Sequence, residues 1–535
     1  MRPGDPLLLR SGLWRLPAWP AVGGAAGSAI LLVLAQPPFG FYPLSFLALV
    51  PLALALWTLP PESGGRWKAT VLGAVFGSVF WAFELIWVPT VVGPHFDWAY
   101  PGYLGLLIVL GSLSAVMGRL AHELASFRPR PPSVPQVLRG RVSFFQVLAL
   151  PLAWVGVEWL RGHVPFGLAW PWLGLGITLT GRPELLALAE WFGESGVSFW
   201  LAAVNGGVAL AILAGRSWRG AALWVMVGLG VAFPSAAGVI RARTLELTPG
   251  PAVAVVGTSI LPGARGIPTA SARDAEAQIR SALAPIRPGE VDLIVVPEGT
   301  VPMPVDDPEV EDLMGFLRAT AEWLEAPLAF GGLGRVQESG IRGPEGLVSN
   351  SAFLLSPDGR GLQRYDKTRL VPVMEGGAYG RESSLVLLGS DGLLLAPLVC
   401  YESIFGGLAR RGARDGAELL LNLSSDIWFG HEGSFLGSLF LLQHPAHLIM
   451  RAVENRTPAA RAANGGYSYV IDPLGRIVSD PVPPGGGAVV SQVLLAEERT
   501  LFTRTGDWIG PVSLVATFLF LVPWRRGRRG FGNGS

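Results

Sequence analysis

The stretch LLLAPLVCYESIF (Leu393–Phe405) decides the reading of this chain. Its first seven residues carry no charge. The run is too short to cross a membrane and the right length for a strand buried on both faces. It ends at Cys400, and Tyr401, Glu402 and Ser403 follow at once, so the chain turns there. A nucleophile at the end of a buried strand is held rigidly and still opens onto whatever lies beyond the turn. Taken alone, a free cysteine is more often a small buried hydrophobe. Cys400 is the only cysteine in 535 residues, which excludes an intramolecular disulfide.

Two segments upstream repeat the pattern of a reactive side chain after an apolar run. In IVVPEGT (Ile294–Thr300), Glu298 follows a short β-branched run. It caps the next element or serves as a base that deprotonates a thiol. In RYDKTRLVP (Arg364–Pro372), Lys367 is the only lysine after Lys68, in a chain that otherwise uses arginine for positive charge. A compact ammonium suits an oxyanion or a thiolate, although most lysines are solvated surface groups. Glu375, eight positions on, is placed to orient that lysine or to sit in a solvated loop.

Around these segments, from about Arg241 to Asp507, short apolar runs alternate with amphipathic stretches. Ala252–Val256, Val291–Val296, Leu328–Gly332, Leu393–Val399 and Leu419–Leu423 read as strands. Ala272–Leu283, Val310–Leu324 and Phe440–Glu454 read as helices, and Tyr467–Val478 as a hairpin turning at Asp472–Gly475. Strands with covering helices predict a layered α/β domain. Phe435–Leu442 reads as core helix or as an apolar lid.

The rest of the chain is of another kind. Half of all residues are hydrophobic, 15% are charged and mean hydropathy is +0.43, against about 25% charged in soluble domains. Eight apolar segments approach the length of a span: Pro20–Gln36, Tyr42–Leu59, Ala69–Val88, Tyr103–Ala125, Phe144–Leu160, Val197–Ala214, Ala222–Ile240 and Trp508–Val522. The small-residue cluster Gly23–Ala29 precedes the first apolar run instead of following it, so an uncleaved anchor is expected. Arg2, Arg10 and Arg15, Arg66 and Lys68, Arg128, Arg130, Arg139 and Arg141, Arg216 and Arg219, and the Arg525–Arg529 cluster all fall on one side of eight spans. The positive-inside rule then makes both termini cytoplasmic and puts 241–507 outside the cytoplasm. An idle thiol there is a liability, which favours a working Cys400. The expected division is a membrane domain of about seven spans (1–240), a catalytic domain (241–507), and a last span with a basic tail (508–535).

Net charge of +1 and the lack of a basic stripe interleaved with aromatics exclude a nucleic-acid partner. His444 and His447 flank Pro445, but no third ligand is evident and no metal or other cofactor is expected. Glu84 and the Glu158–Arg161 pair lie within apolar segments, where ionisable groups are costly and suspect.

The order Glu298, Lys367, Cys400, with VPEGT, NSAFLLSPDGRGLQRYDKTRLVPVMEGG, LVCYESIF, NLSSDIWFG, QHPAHLIMRAVENRTPAARAANGG and TLFTRTGDW, resembles the nitrilase, or carbon–nitrogen hydrolase, superfamily. EWLRGHVPFGLAWPWLGLG (Glu158–Gly176) and EWFGESGVSFWLAAVN (Glu190–Asn205) resemble the membrane signatures of the apolipoprotein N-acyltransferases within it. That resemblance implies an αββα sandwich on about eight transmembrane helices in the bacterial inner membrane, working as a monomer. It implies Glu298 as general base, Lys367 as oxyanion partner with the Tyr401 N–H, and Cys400 as acylated nucleophile. Glu375, Glu402, Asn422 and Trp428 then fill supporting or substrate-binding roles. The implied donor is a phospholipid, and the implied acceptor is the N-terminal amine of a diacylglyceryl apolipoprotein. Val296, the pair Val373 and Met374, and the stretch Val256–Thr258 depart from the usual pattern without removing a reacting group. A membrane-tethered amidase and a transporter with a periplasmic binding domain are the alternatives. The latter lacks repeated spans or an intramembrane polar pathway.

Overall fold

The computed structural model describes residues 16–61, 63–126, 144–165, 169–260, 268–338, 341–342, 348–372, 375, 387–390 and 392–529. Arg2, Arg10, Arg15, the 128–141 arginines, Val373 and Met374 lie outside them. Each of the eight apolar segments is helical over most of its length. The α-helices are α1 (Trp19–Ala35), α2 (Val50–Trp57, preceded by a 3₁₀ turn at Tyr42–Phe46), α3 (Ser63–Glu84), α4 (Ala99–Ala125), α5 (Phe144–His163), α6 (Ala189–Ala214) and α7 (Trp218–Thr244). Among the described residues, four helical stretches are long and apolar enough to cross a membrane: Gly64–Val92, Ala99–Ala125, Ala189–Ala214 and Trp218–Thr244. Trp19–Ala35, Tyr42–Trp57 and Ile509–Phe520 are shorter apolar helices.

Residues from Thr248 onward build the second part. Its strands are β1 (Thr248–Gly257), β2 (Leu293–Val295), β3 (Val301–Pro304), β4 (Leu328–Arg335), β5 (Gln337–Glu338), β6 (Ile341–Arg342), β7 (Val348–Leu355), β8 (Leu362–Asp366), β9 (Leu388–Ser390), β10 (Leu393–Val399), β11 (Leu419–Ser425), β12 (Ala459–Asn464), β13 (Tyr469–Ile471) and β14 (Gly487–Leu495). Its helices are α8 (Pro268–Leu283), α9 (Glu311–Leu324), α10 (Gly406–Arg414), α11 (Phe435–Asn455) and α12 (Leu501–Thr505), before α13 (Ile509–Arg529). One sheet runs β14-β1-β2-β4-β7-β8 with β3 beside β4, and the other β13-β12-β11-β10-β9.

Alternation along the strands makes the layers. Val253 and Val255 of β1, Leu293 and Val295 of β2, and Leu395, Val399, Leu421 and Leu423 of β10 and β11 share one core between the two sheets. Their neighbours Ala254, Val256 and Ile294 pack beneath Ile279 of α8 and Leu317 of α9. On the far face of the second sheet, Ala396, Leu398 and Leu420 meet Leu408 of α10 and Leu448 and Ala452 of α11. That makes an αββα sandwich. The outer core continues without a break into the membrane helices, through Trp172, Leu201, Phe76 and Leu52.

α11 is the seam. Along one face, Gln443 donates to Glu84 Oε2 at 2.7 Å, His447 accepts from the Leu173 N–H at 3.3 Å, Arg451 pairs with Glu194, and Glu454 accepts from the Glu194 N–H at 2.8 Å. The spacing 443, 447, 451, 454 follows the helical repeat, so a single stripe docks the catalytic layer on the membrane layer. α11 begins at Phe435, five residues before the expected Phe440. Phe435 and Leu436 are exposed while Phe440 and Leu441 are buried, so Phe435–Leu442 is helix from its start. Glu158 and Arg161 do not form the expected pair. Glu158 accepts from Trp154, the Leu175 N–H and Ser198, while Arg161 donates to the Trp172 carbonyl and lies over the Trp81 ring.

Candidate active site

Strand β10 delivers Cys400 into a 3₁₀ turn, Cys400–Ile404. Cys400 has φ +49°, in the left-handed region that a side chain with a Cβ occupies at a cost of about 1–2 kcal/mol. Several bonds hold it there. Ser403 Oγ donates to the Cys400 carbonyl at 3.0 Å, and His444 Nε2 lies 3.1 Å from the same oxygen. Glu402, fully buried, accepts from the N–H groups of Val399, Thr368 and Arg369 and from the hydroxyls of Tyr365 and Thr368. One carboxylate therefore ties the nucleophile turn to the segment that follows β8 and carries Lys367.

Glu298 lies three residues beyond β2. Its Oε1 accepts from Asn350 Nδ2 at 2.6 Å and sits 3.4 Å from Lys367 Nζ, and its Oε2 accepts from the Ser425 N–H at 2.7 Å. Glu375 closes the other side: Oε1 takes Lys367 Nζ at 2.9 Å and Asn350 Nδ2 at 2.7 Å, and Oε2 takes the Val371 N–H at 2.7 Å. The Lys367 N–H donates to the Asn350 carbonyl at 2.8 Å. Asn350, on β7, thus bridges the two carboxylates and fixes the lysine backbone.

Glu298 reaches this position because β4 passes beneath it at Gly331. A Cβ on Gly331 would lie 2.3 Å from the Glu298 Cα. Gly331→Ala is expected to displace the Glu298 backbone. It should lower the acyl-transfer rate about 100-fold, as misplacement by about 1 Å does, and cost about 1–3 kcal/mol of stability by overpacking. Single-turnover rates and thermal unfolding of the variant read both effects.

Burial pushes the Cys400 thiol well up, Glu298 adds to that, and Lys367 opposes it. Glu298 is also raised, by burial first and by the Glu375 charge, against the pull of Lys367. Glu375 is buried too, yet Lys367 and the Val371 N–H hold it below the ordinary carboxylate range. Burial disfavours the Lys367 ammonium, but Glu375 and Glu298 overcome this and keep it charged. The resting arrangement is an ion pair, Lys367 with Glu375, beside a carboxyl of raised basicity and a protonated thiol. Glu375→Gln removes a charge that raises Glu298. With Glu298 as the expected base, the acid limb of a single-turnover pH profile should therefore move to lower pH.

Cys400, Glu298, Lys367 and Glu375 line one cavity of about 360 Å³, with Asn350, Ser425, Trp428 and Asn464. Phe96, from the membrane part, lies on the same wall and tilts against the Trp428 ring at 5.5 Å. Behind the nucleophile, Cys400, Asp426 and His444 bring sulfur, oxygen and nitrogen within 4.8 Å of one another. Asp426 is already bound to Arg461, Ser424 and His444. A cation there would compete with the guanidinium, so this donor set suits hydrogen bonding better than a metal.

The two parts match two family models. Residues 28–207 match the apolipoprotein N-acyltransferase N-terminal domain, and residues 252–499 match the carbon-nitrogen hydrolase family. Across both parts the chain is similar to the apolipoprotein N-acyltransferases. An apolipoprotein N-acyltransferase of Geobacter metallireducens is 29% identical over 90% of this chain and 90% of its own. One of Rhizobium rhizogenes is 28% identical over 91% and 94%. Among solved structures, an amidase from Nesterenkonia sp. is 21% identical and covers 49% of this chain and 95% of its own, at a TM-score of 0.36.

Of the residues singled out in the apolipoprotein N-acyltransferase motifs, Glu298, Lys367, Glu375, Cys400 and Trp428 meet in the cavity. Tyr401 turns its ring away, its hydroxyl donating to the Ala169 carbonyl at 3.1 Å. Glu402 and Asn422 lie behind the nucleophile: Asn422 donates to the Leu398 carbonyl and accepts from Arg461, tying β11 to β10. Asn350, Ser425 and Phe96 are not marked in the sequence as site residues, and His444 stands out there only as a metal-ligand candidate. Asn350 carried a signal, as a lone amide in an otherwise small and apolar strand.

Proposed function

We propose that this chain is an apolipoprotein N-acyltransferase that moves an acyl chain from a phospholipid, through a thioester on Cys400, to the N-terminal amine of a diacylglyceryl-cysteine lipoprotein. The observation that carries the mechanism is the convergence of Glu298, Lys367, Glu375 and Cys400 on one cavity with a wall from the membrane part. Glu298 takes the thiol proton as sulfur attacks the ester carbonyl. The oxyanion forms beside Lys367 Nζ and the Tyr401 N–H. As the C–O bond breaks, Glu298 returns the proton to the lysophospholipid oxygen, leaving the acyl-enzyme. The acceptor amine then attacks the thioester, Glu298 takes its proton, the C–S bond breaks and the thiolate is reprotonated. Lys367 answers to Glu375 throughout, so its charge persists while Glu298 cycles.

Eight spans with both termini cytoplasmic place this cavity on the outer face of the bacterial inner membrane. Both substrates are anchored in lipid, and drawing either into water costs about 0.8 kcal/mol per CH₂. A cavity mounted on spans meets them at headgroup depth. Every acting group comes from one chain, so a monomer suffices, and no metal or other cofactor has a step.

Adding a synthetic diacylated lipopeptide to enzyme and phospholipid tests the acceptor. An N-acylated, triacyl product bears the reading out. Free fatty acid in its place, at an unchanged rate, would make the chain a membrane-tethered hydrolase.

A further inference from the structure

A second cavity, of about 680 Å³, is distinct from the one that holds Cys400, and among the described residues the two share no lining side chain. It lies where three membrane helices end: α5 at His163, α6 beginning at Ala189 and α13 at Ile509. Trp191 and Trp508 are exposed near the starts of α6 and α13, as aromatics are at a bilayer interface. The cavity therefore opens at headgroup depth.

Its lining is charged. The acidic groups have partners of their own: Glu158 takes Trp154, Leu175 and Ser198, Glu194 and Glu454 take Arg451, and Asp507 takes Ser195 and the Gly510 N–H. Glu454 Oε2, deeply buried, has no hydrogen-bond partner beyond that ion pair. The cations on the catalytic-domain rim differ. Arg410 bonds the carbonyls of Phe502 and Arg504, and Arg414 pairs with the neighbouring Asp415. Among the described residues, Arg369 and Arg411 have no carboxylate partner; Arg369 lies over the Phe405 ring at 5.5 Å. On the same lining α10 begins at Gly406–Gly407, with no side chain capping it, and carries Arg411 in its last turn. A Cβ at Gly406 would lie 2.1 Å from Arg451 Nη1 and 3.4 Å from Glu454 Oε2, so the helix terminus rests directly on that buried ion pair. The Leu408 N–H bonds the Phe405 carbonyl, but the Gly406 and Gly407 N–H groups, the N-terminal dipole and the guanidinium groups of Arg369 and Arg411 together suit an anion.

We propose that this cavity is a second phospholipid site, which takes the phosphate of a membrane lipid headgroup on Arg369, Arg411 and the N-terminus of α10. It is separate from the acyl-donor cavity and does not depend on thioester chemistry. A lipid held there abuts Ile404 and Phe405, at the far end of the turn that carries Cys400.

The test uses the full chain in detergent micelles and a phosphatidylglycerol with ether-linked chains, which cannot donate an acyl group. Native mass spectrometry counts bound lipids. Wild type should hold one more tightly bound lipid than Arg369→Gln/Arg411→Gln, whose affinity at that site should be about 30-fold weaker, as loss of two cations facing a lipid phosphate predicts. The Arg369→Lys/Arg411→Lys variant should retain it. Equal lipid occupancy in wild type and the Gln variant would overturn the proposal. So would an equal loss in the remote surface variant Arg335→Gln, which would mean bulk charge, or displacement of the lipid by inorganic phosphate at 10-fold excess, which would make this a free-anion site. Because the lipid cannot react, failure of the thioester mechanism leaves these readings unchanged.

Discussion

Glu298→Gln should slow acyl-enzyme formation by about 10²- to 10⁴-fold while leaving the fold intact. The amide matches the carboxylate in shape and still offers one oxygen to the Ser425 N–H, which Glu298 Oε2 now accepts at 2.7 Å. It cannot take the thiol proton. Its NH₂ must also face Asn350 Nδ2 and Lys367 Nζ, both donors at 2.6 and 3.4 Å, so the local network loosens as well. Because burial keeps the Cys400 thiol protonated, no appreciable thiolate exists to bypass the missing base. Single-turnover labelling from a phospholipid with a labelled acyl chain reads the rate, and thermal unfolding shows whether the fold survives. A variant that acylates at the wild-type rate would remove Glu298 from the mechanism.

Lys367→Ala should do damage in two separable ways, to rate and to stability. Lost oxyanion stabilisation should cost about 10²- to 10³-fold in rate. Removing the cation also leaves Glu298 and Glu375 facing each other across Asn350, both buried, at a cost of about 3–5 kcal/mol of stability. One carboxyl relieves this by holding its proton, and its folded-state pKa then lies above the unfolded value. A raised carboxyl binds more protons folded than unfolded, so stability falls as pH rises through that interval. The variant should therefore lose stability more steeply than wild type between about pH 4 and neutrality, because in wild type the charged Lys367 pulls against the raised Glu298 carboxyl. Thermal unfolding at several pH values tests the sign directly.

Much of this was legible because it rests on local pattern. A seven-residue apolar run ending in a turn is a buried strand wherever it packs, and the eight apolar segments announced themselves by length. Cys400 and Lys367 stood out by rarity. What escaped was contact made by packing. Asn350 on β7, Ser425 on β11 and Glu298 after β2 come from two sheets, and only the sandwich brings them within 2.7 Å of one another's partners. His444 read as a neighbour of His447, three positions away. On a helix i and i+3 share a face, and both rings pack on Trp172, but His447 reaches the Leu173 N–H and His444 the Cys400 carbonyl. Glu158 and Arg161 looked like partners for the same reason of spacing, and each found better-placed groups on other segments. Asn422 and Glu402 belonged to the right motifs, but strand alternation and turn geometry set them behind the nucleophile, where they hold it in place.

The central claim is a covalent acyl-thioester on Cys400. Membranes holding wild type or Cys400→Ala would be given phospholipid with a labelled acyl chain and no acceptor. Label fixed to wild type, released by neutral hydroxylamine and missing from Cys400→Ala, is the predicted result. A folded wild type that never takes up label, or a Cys400→Ala variant labelled to the same extent, would contradict it.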